Sequence, residues 1–149
     1  MVVKPDKKVP APSMLGANPA AALAAFCPDL EQWPQRWHYD APDIPPGEQI
    51  VACIKPFLLH LLSEDLTPKT RRRHRDNVWL LGGELIRLRY EDSKLRNMPI
   101  PLALSALVNE DGGPMIYPRI SEEEQNAFDA TCRKLYRFLD SDQKPVRQK

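Results

Sequence analysis

The chain has 149 residues, 42% hydrophobic and 28% charged, and a net charge of +1. That balance suits one globular domain able to bury a core without disulfides or metals, and it excludes a global attraction to nucleic acid or anionic membrane, leaving only local patches. No apolar run approaches the ~20 residues of a membrane span, and Cys27, Cys53 and Cys132, widely spaced and without a CxxC, read as reduced, mostly buried thiols of a cytoplasmic protein with no metal site and no cofactor.

Residues 1–19 are rich in Lys, Pro and Ala and read as a flexible tail. Residues 14–26 faintly resemble a secretory apolar core, but Asn18 and Pro19 interrupt it, so a tail is preferred to a signal peptide. A single helical domain is expected over 20–140 and a charged tail over 141–149. Within the domain, 20–26 forms a short helix ending before Pro28.

The segment 27–47, CPDLEQWPQRWHYDAPDIPPG, is Pro-punctuated and aromatic. Its periodicity is too weak for an element of its own. It holds Leu30, Trp33, Trp37, Tyr39 and Ile44, and is expected to lie across the helices and bury its aromatics in their grooves. Trp33 and Trp37 are core anchors in that reading. In the competing one, either stays exposed as a partner-binding anchor.

Residues 47–64 carry a wide apolar stripe through Ile50, Val51, Ile54, Phe57, Leu58, Leu61 and Leu62, which predicts a helix. Pro56 lies inside it and predicts a bend or break around 53–56. His60 borders the stripe as a satisfied boundary histidine.

The longest helical pattern follows, over 67–92. Thr67 is placed to cap it and Pro68 to open it. Val78, Leu81, Leu85 and Leu88 give its apolar face, with His74 one turn earlier on the same stripe. Gly82 and Gly83 interrupt the face without shifting its phase, which points to close approach of another backbone. The helix opens on Lys69, Thr70, Arg71, Arg72, Arg73 and Arg75. Cations at this end oppose the helix dipole unless an anion or acidic neighbour offsets them. Glu64, Asp65 and Asp76 are local candidates, and a nucleic-acid phosphate is the external one. Arg71 and Arg75 share one face; Lys69, Arg72 and Arg73 cluster on the adjacent one.

Ser93 begins a short helical turn stopped by Pro99, and an apolar helix follows over 102–108. Asp111-Gly112-Gly113-Pro114 is a turn, and 115–120 is short and extended. Ser121 with Glu124 forms a capping box for the last helix, whose stripe runs Phe128, Cys132, Leu135, Leu139. The fold class is therefore all-α: a bundle of four to six helices with the Pro-rich aromatic segment wrapped on it. Catalytic motifs are absent: there is no G-x-S-x-G, no phosphate-cradling Gly loop and no H-E-x-x-H. His38, His60 and His74 fall in three separate segments. A non-enzymatic role is expected.

The stretch FLLHLLSEDLTPKTRRRHRDNVWLL resembles the SAM-like core-binding domain of tyrosine recombinases of the phage-integrase type. In both, an apolar helix (here Phe57 to Leu62) ends, a turn leads to a Ser/Thr-Pro-x-Thr start (Thr67-Pro68-Lys69-Thr70), and a basic helix follows. The likeness covers about 35 of 149 residues. It implies DNA contact through Lys69, Thr70, Arg72, Arg73 and Arg75. About 57 residues follow Asp92, too few for the recombinase catalytic domain, whose His-x-x-Arg box and nucleophilic Tyr have no counterpart here. The W-x-x-x-W opening and the FDATCRKLYRFL close resemble small bacterial mobile-element proteins. The expectation is a non-catalytic DNA-binding or accessory protein of such an element, DNA being preferred to RNA. The alternative is a protein-interaction module, such as an antitoxin, inhibitor or complex subunit, built on 28–46.

Overall fold

Three long helices organise the described chain. The structure, a computed structural model, describes residues 18–143, and for the last two of these only the backbone. In chain order the helices are α1 (Pro19–Phe26), α2 (Trp33–Trp37), α3 (Ile44–Ser63), α4 (Pro68–Glu91), α5 (Ser93–Arg96), α6 (Ile100–Leu107) and α7 (Glu122–Gln143), with single 3-10 turns at Leu30–Gln32 and Ala41–Asp43. There is no strand among the described residues. The expected tails over 1–19 and 141–149 lie almost wholly outside the described residues; where they enter it, Pro19 already opens α1 and α7 continues to Gln143. No described helix is long and apolar enough to cross a membrane.

The caps read from the sequence are in place. Thr70 N–H donates to the Thr67 hydroxyl at 3.1 Å, and Pro68 opens α4. At α7, Glu124 N–H donates to Ser121 Oγ at 3.0 Å while Ser121 N–H donates to Glu124 Oε1 at 2.8 Å, both halves of a capping box. One cap differs. Asp92, not Ser93, caps α5, accepting from Lys94 N–H at 2.9 Å.

Pro56 does not break α3, which stays one helix of 20 residues. It starts earlier than the apolar stripe suggested, because Pro45 and Pro46 fall in its first turn, where a missing N–H costs nothing.

α3 packs on α4, and α7 closes the other side of α4. Phe57, Leu58 and Leu61 of α3, Leu81, Leu85 and Ile86 of α4, and Phe128 and Leu135 of α7 form one fully buried core. A polar seam crosses the α4–α7 contact. Asn77 Nδ2 donates to Thr131 Oγ1 at 3.0 Å and to the Ala127 carbonyl at 3.2 Å, and His74 Nδ1 lies 2.7 Å from the same hydroxyl. Burial, with Lys134 and Arg73 nearby, pushes the His74 pKa down to about 4, so the ring is neutral at neutral pH.

The aromatic segment is more ordered than its sequence pattern suggested. Trp33 and Trp37 stand four residues apart, one helical turn, and α2 turns both inward. They are 3% and 6% exposed, with ring centroids 5.7 Å apart. The Trp37 indole enters between α3 and α4. A Cβ on Gly82 would meet Trp37 Cζ2 at 2.3 Å, and one on Gly83 would meet Trp37 Cδ1 at 3.1 Å. On the α3 side, a Cβ on Gly47 would fall 3.0 Å from Pro34 Cβ and 3.6 Å from Trp37 Cε3. The glycine pair therefore admits a side chain, where close approach of a backbone was expected. Trp37 Nε1 satisfies its donor on the Trp79 carbonyl at 3.0 Å.

Candidate nucleic-acid interface and the adjoining arginine cavity

The basic start of α4 divides by helical face. Residues 71, 75, 78, 82 and 85 fall on one line at spacings of three and four. Arg71 and Arg75 thus point the same way as the core. Arg71 is 5% exposed. Its Nε donates to the Leu61 carbonyl at 3.1 Å and one terminal nitrogen to the Glu64 carbonyl at 2.8 Å. These carbonyls close the C-terminal end of α3, the negative end of its dipole, so Arg71 acts as a side-chain cap. Burial draws its pKa below the usual guanidinium range, with Asp65 opposing. Arg75 does the same for α1. It donates to the Phe26 carbonyl at 2.9 Å, lies 5.5 Å from the centre of the Phe26 ring and pairs with Asp76 at 3.0 Å.

Two of the six candidate phosphate ligands are thereby corrected. Arg71 is enclosed by carbonyls and cannot reach a backbone phosphate, and Arg75 is committed to the end of α1. Much of the mismatch between cations and the α4 dipole is offset from within, by the negative ends of two other helices. Lys69, Arg72 and Arg73 remain exposed, with Thr70 half-buried among them. None of these three cations has an ion pair among the described residues. The basic surface reaches toward α7, since both Arg73 and Lys134 bear on His74. Lys134 is itself held by Glu64 at 2.7 Å, and Glu64 also takes His60 at 3.2 Å. Burial raises the Glu64 pKa, but Lys134 and His60 outweigh it and hold the carboxyl below its usual range.

The partner-binding role for Trp33 and Trp37 is also corrected. Both are consumed by the core, for the packing reasons given above. The aromatic side chains of this region that stay open are Trp79, 38% exposed, Tyr39 and Tyr90. Tyr39 stacks edge-on against Tyr90, whose hydroxyl donates to Asp43 at 2.7 Å. Asp43 also accepts the N–H groups of Tyr39 and Asp40. Burial pushes its carboxyl pKa up, but these donors more than reverse the effect and lower it.

Beyond Trp79, α4 carries a second feature that the sequence reading missed. Glu84, 4% exposed, accepts on one oxygen from Arg87 at 2.6 Å and from Arg119 at 2.9 Å. Burial opposes its charge, and the two guanidinium groups restore it, so its pKa falls below the usual range. Glu84 sits between Leu81, Leu85 and Leu88 on the apolar side of the helix. An acid in that register, three residues before Arg87, is the signal that could have found it. Arg119 comes from the loop before α7 and has no such signal. Beside this group lies a cavity of about 250 Å³, lined among others by Arg36, Tyr39, Trp79, Gly83, Glu84 and Arg119. A wider hollow of about 750 Å³ adjoins it across Arg36 and Trp79 and carries Asp29, Asp76 and Glu124.

The cysteines carry no reactive signature. Burial raises all three thiols, Cys27 and Cys132 to about 12, well above the range of a thiolate nucleophile. Among the described residues, no group of three or more His, Cys, Asp and Glu is gathered as metal ligands would be.

No family model, curated protein or solved structure matches this chain.

Proposed function

We propose that this protein is a non-catalytic nucleic-acid-binding or accessory protein, of the kind carried by bacterial mobile elements, that contacts phosphates through Lys69, Arg72 and Arg73 with Thr70 beside them. One observation supports this reading above the others. After Arg71 and Arg75 turn inward to cap α3 and α1, three cations still stand together on the solvent side of the first turns of α4, without acidic partners among the described residues. Three exposed cations grouped on one helix start favour phosphate over base edges, so the contact is a backbone clamp and sequence-tolerant. The setting in a mobile element rests on the resemblance alone. The protein-interaction alternative is weaker, because Trp33 and Trp37, its two anchors, are buried.

The test is fluorescence anisotropy with a labelled DNA duplex and the matching single strand, from about 50 to 200 mM salt. Each phosphate contact contributes close to 0.9 to the slope of log K against log salt for duplex DNA, so the triple variant K69A/R72A/R73A is expected to flatten the slope by roughly 2–3. Absence of binding to either form at the lowest salt overturns the proposal.

A further inference from the structure

We propose that the cavity between Trp79 and the Arg36–Arg119 pair binds one nucleotide unit, its base against the Trp79 and Tyr39 rings and its phosphate on the two guanidinium groups. This deepens the nucleic-acid reading and rests on it for the class of ligand, but it adds a site that the basic edge does not include.

Three observations carry it. The first is charge. The cavity is walled by the guanidinium groups of Arg36, Arg87 and Arg119 against a single carboxylate, Glu84. Arg87 is divided between Glu84 and Glu91, at 2.6 Å and 2.9 Å. Arg119 gives one nitrogen to Glu84. Arg36 makes one long contact, 3.5 Å to Gln32. A guanidinium has five N–H donors, so Arg36 and Arg119 retain several with no protein acceptor among the described residues. An anion complements that wall, and Arg suits the flat oxygen face of a phosphate.

The second observation is the aromatic surface. Trp79 and Tyr39 line the same cavity and are 38% and 63% exposed. Exposed rings beside unsatisfied arginines are the pairing that single nucleotides use, with stacking supplying sequence-tolerant affinity. The third is rigidity. Gly83 forms part of the cavity lining, and just beneath it the Trp37 indole is pinned to the Trp79 carbonyl, so Trp79 and Gly83 are held by a filled core. The buried Glu84 carboxylate holds the half-exposed Arg119 by an ion pair at 2.9 Å. The Trp79–Gly83 backbone and the Glu84–Arg119 pair are thus in place before a ligand arrives, which lowers the ordering cost of binding. At about 250 Å³ and open on one side, the cavity covers part of a single nucleotide unit and has no room for a second. The neighbouring hollow carries Asp29, Asp76 and Glu124 beside Arg36 and Arg75, so its charge is mixed and it does not extend the cationic wall.

Such a unit comes from one of two sources: a free mononucleotide, or the phosphorylated end of a strand. Nitrogen-15 NMR titration of the full chain separates them, using adenosine monophosphate, adenosine, inorganic phosphate, and a short single strand with and without a 5′-phosphate. Adenosine monophosphate is expected to shift the Trp79 indole and Arg36 Nε resonances, while adenosine and inorganic phosphate bind at least tenfold more weakly. Trp79→Ala and Arg36→Ala, both at exposed side chains, are expected to weaken the monophosphate tenfold or more. Preference for the 5′-phosphorylated strand over the mononucleotide assigns the strand end; equal affinity assigns the free nucleotide.

The inference is overturned if the monophosphate leaves both resonances in place, or if adenosine binds as well as its phosphate. Its failure is distinct from that of the basic edge. Strand binding that is lost in K69A/R72A/R73A, with neither resonance responding to the monophosphate, sinks the cavity and keeps the edge. Mononucleotide binding with no affinity for any strand does the reverse.

Discussion

Replacing Gly82 by Ala tests whether Trp37 holds α3 and α4 together. In an ordinary helix interior the change stabilises by about 1 kcal/mol. Here the new methyl would lie 2.3 Å from Trp37 Cζ2 and 2.5 Å from Cη2, where carbon atoms pack best at about 3.5–4 Å. The indole must move by more than 1 Å, roughly the shortfall between those distances. It has little room to do so. Pro34 and Gly47 stand on the α3 side, the Trp33 ring is 5.7 Å away, and the Nε1–Trp79 carbonyl bond fixes its edge. Overpacking costs about 1–3 kcal/mol, and a buried indole N–H that loses its acceptor costs about 1–3 more. After crediting the propensity gain, Gly82→Ala is expected to destabilise by roughly 1–5 kcal/mol.

The same substitution made on Trp37→Ala has nothing to strike. There it is expected to be neutral or to stabilise by up to about 1 kcal/mol, giving a coupling of roughly 3 kcal/mol between the two positions. Urea unfolding followed by circular dichroism measures the cycle without relying on tryptophan emission. Should Trp37→Ala fail to fold, Trp37→Leu serves as the background. A neutral or stabilising Gly82→Ala in the native background refutes the wedge, as does equal destabilisation in both backgrounds.

The remaining predictions concern the polar anchors. Arg71→Met is expected to lower stability by about 2–4 kcal/mol, since two charge-assisted bonds to the end of α3 are lost, while Arg72→Ala stays within about 0.5 kcal/mol; thermal unfolding of the two variants compares a cap with a surface cation. Ser121→Ala is expected to cost about 1 kcal/mol by removing the capping box of α7, read from the same melts. His74 is held near 4 in the folded chain and titrates near 6.5 when unfolded, so the unfolded state takes up more protons between these values. Stability is therefore expected to be highest above pH 6.5 and to fall by up to ~3 kcal/mol toward pH 4 through this group. His74→Gln should remove that part of the slope in melts run across the window; an unchanged slope refutes the assignment.

Much of the scaffold was legible because its signals are local. A cap needs a side chain three residues from the N–H it satisfies, and Thr67 and Ser121 announce α4 and α7 in that way. The all-α class follows from apolar stripes that keep their period across each helix. The errors arose where the deciding partner was distant in sequence. Pro56 looked like a break because a proline removes one bond, but Phe57, Leu58, Leu61 and Leu62 beyond it are buried at 0% exposure, and that burial outweighs a loss of ~3 kcal/mol. Trp33 and Trp37 already stood at helical spacing, yet five residues are too few to show a period.

The basic start of α4 was read as one surface because its charge is dense, and density says nothing about direction. The register did. Arg71 and Arg75 continue the line of Val78, Gly82 and Leu85, so the helix itself sorts these two cations from Lys69, Arg72 and Arg73. What the register cannot supply is the acceptor at the end of each inward arginine: the last carbonyls of α3 and α1 arrive there only when the bundle closes. The cavity at Trp79 is harder still, since Arg36, Glu84 and Arg119 come from three separated segments and neither arginine is unusual where it stands. Only Glu84 was exposed to prior detection, as an acid inside an apolar stripe. A buried carboxylate must be paired to stay charged; Arg87 supplies that partner from one turn away, and the fold adds Arg119. The site that sequence density promoted lost two of its members to the fold. The one it passed over was assembled by the same closure, which brings arginines together where a helix stripe tolerates a charge.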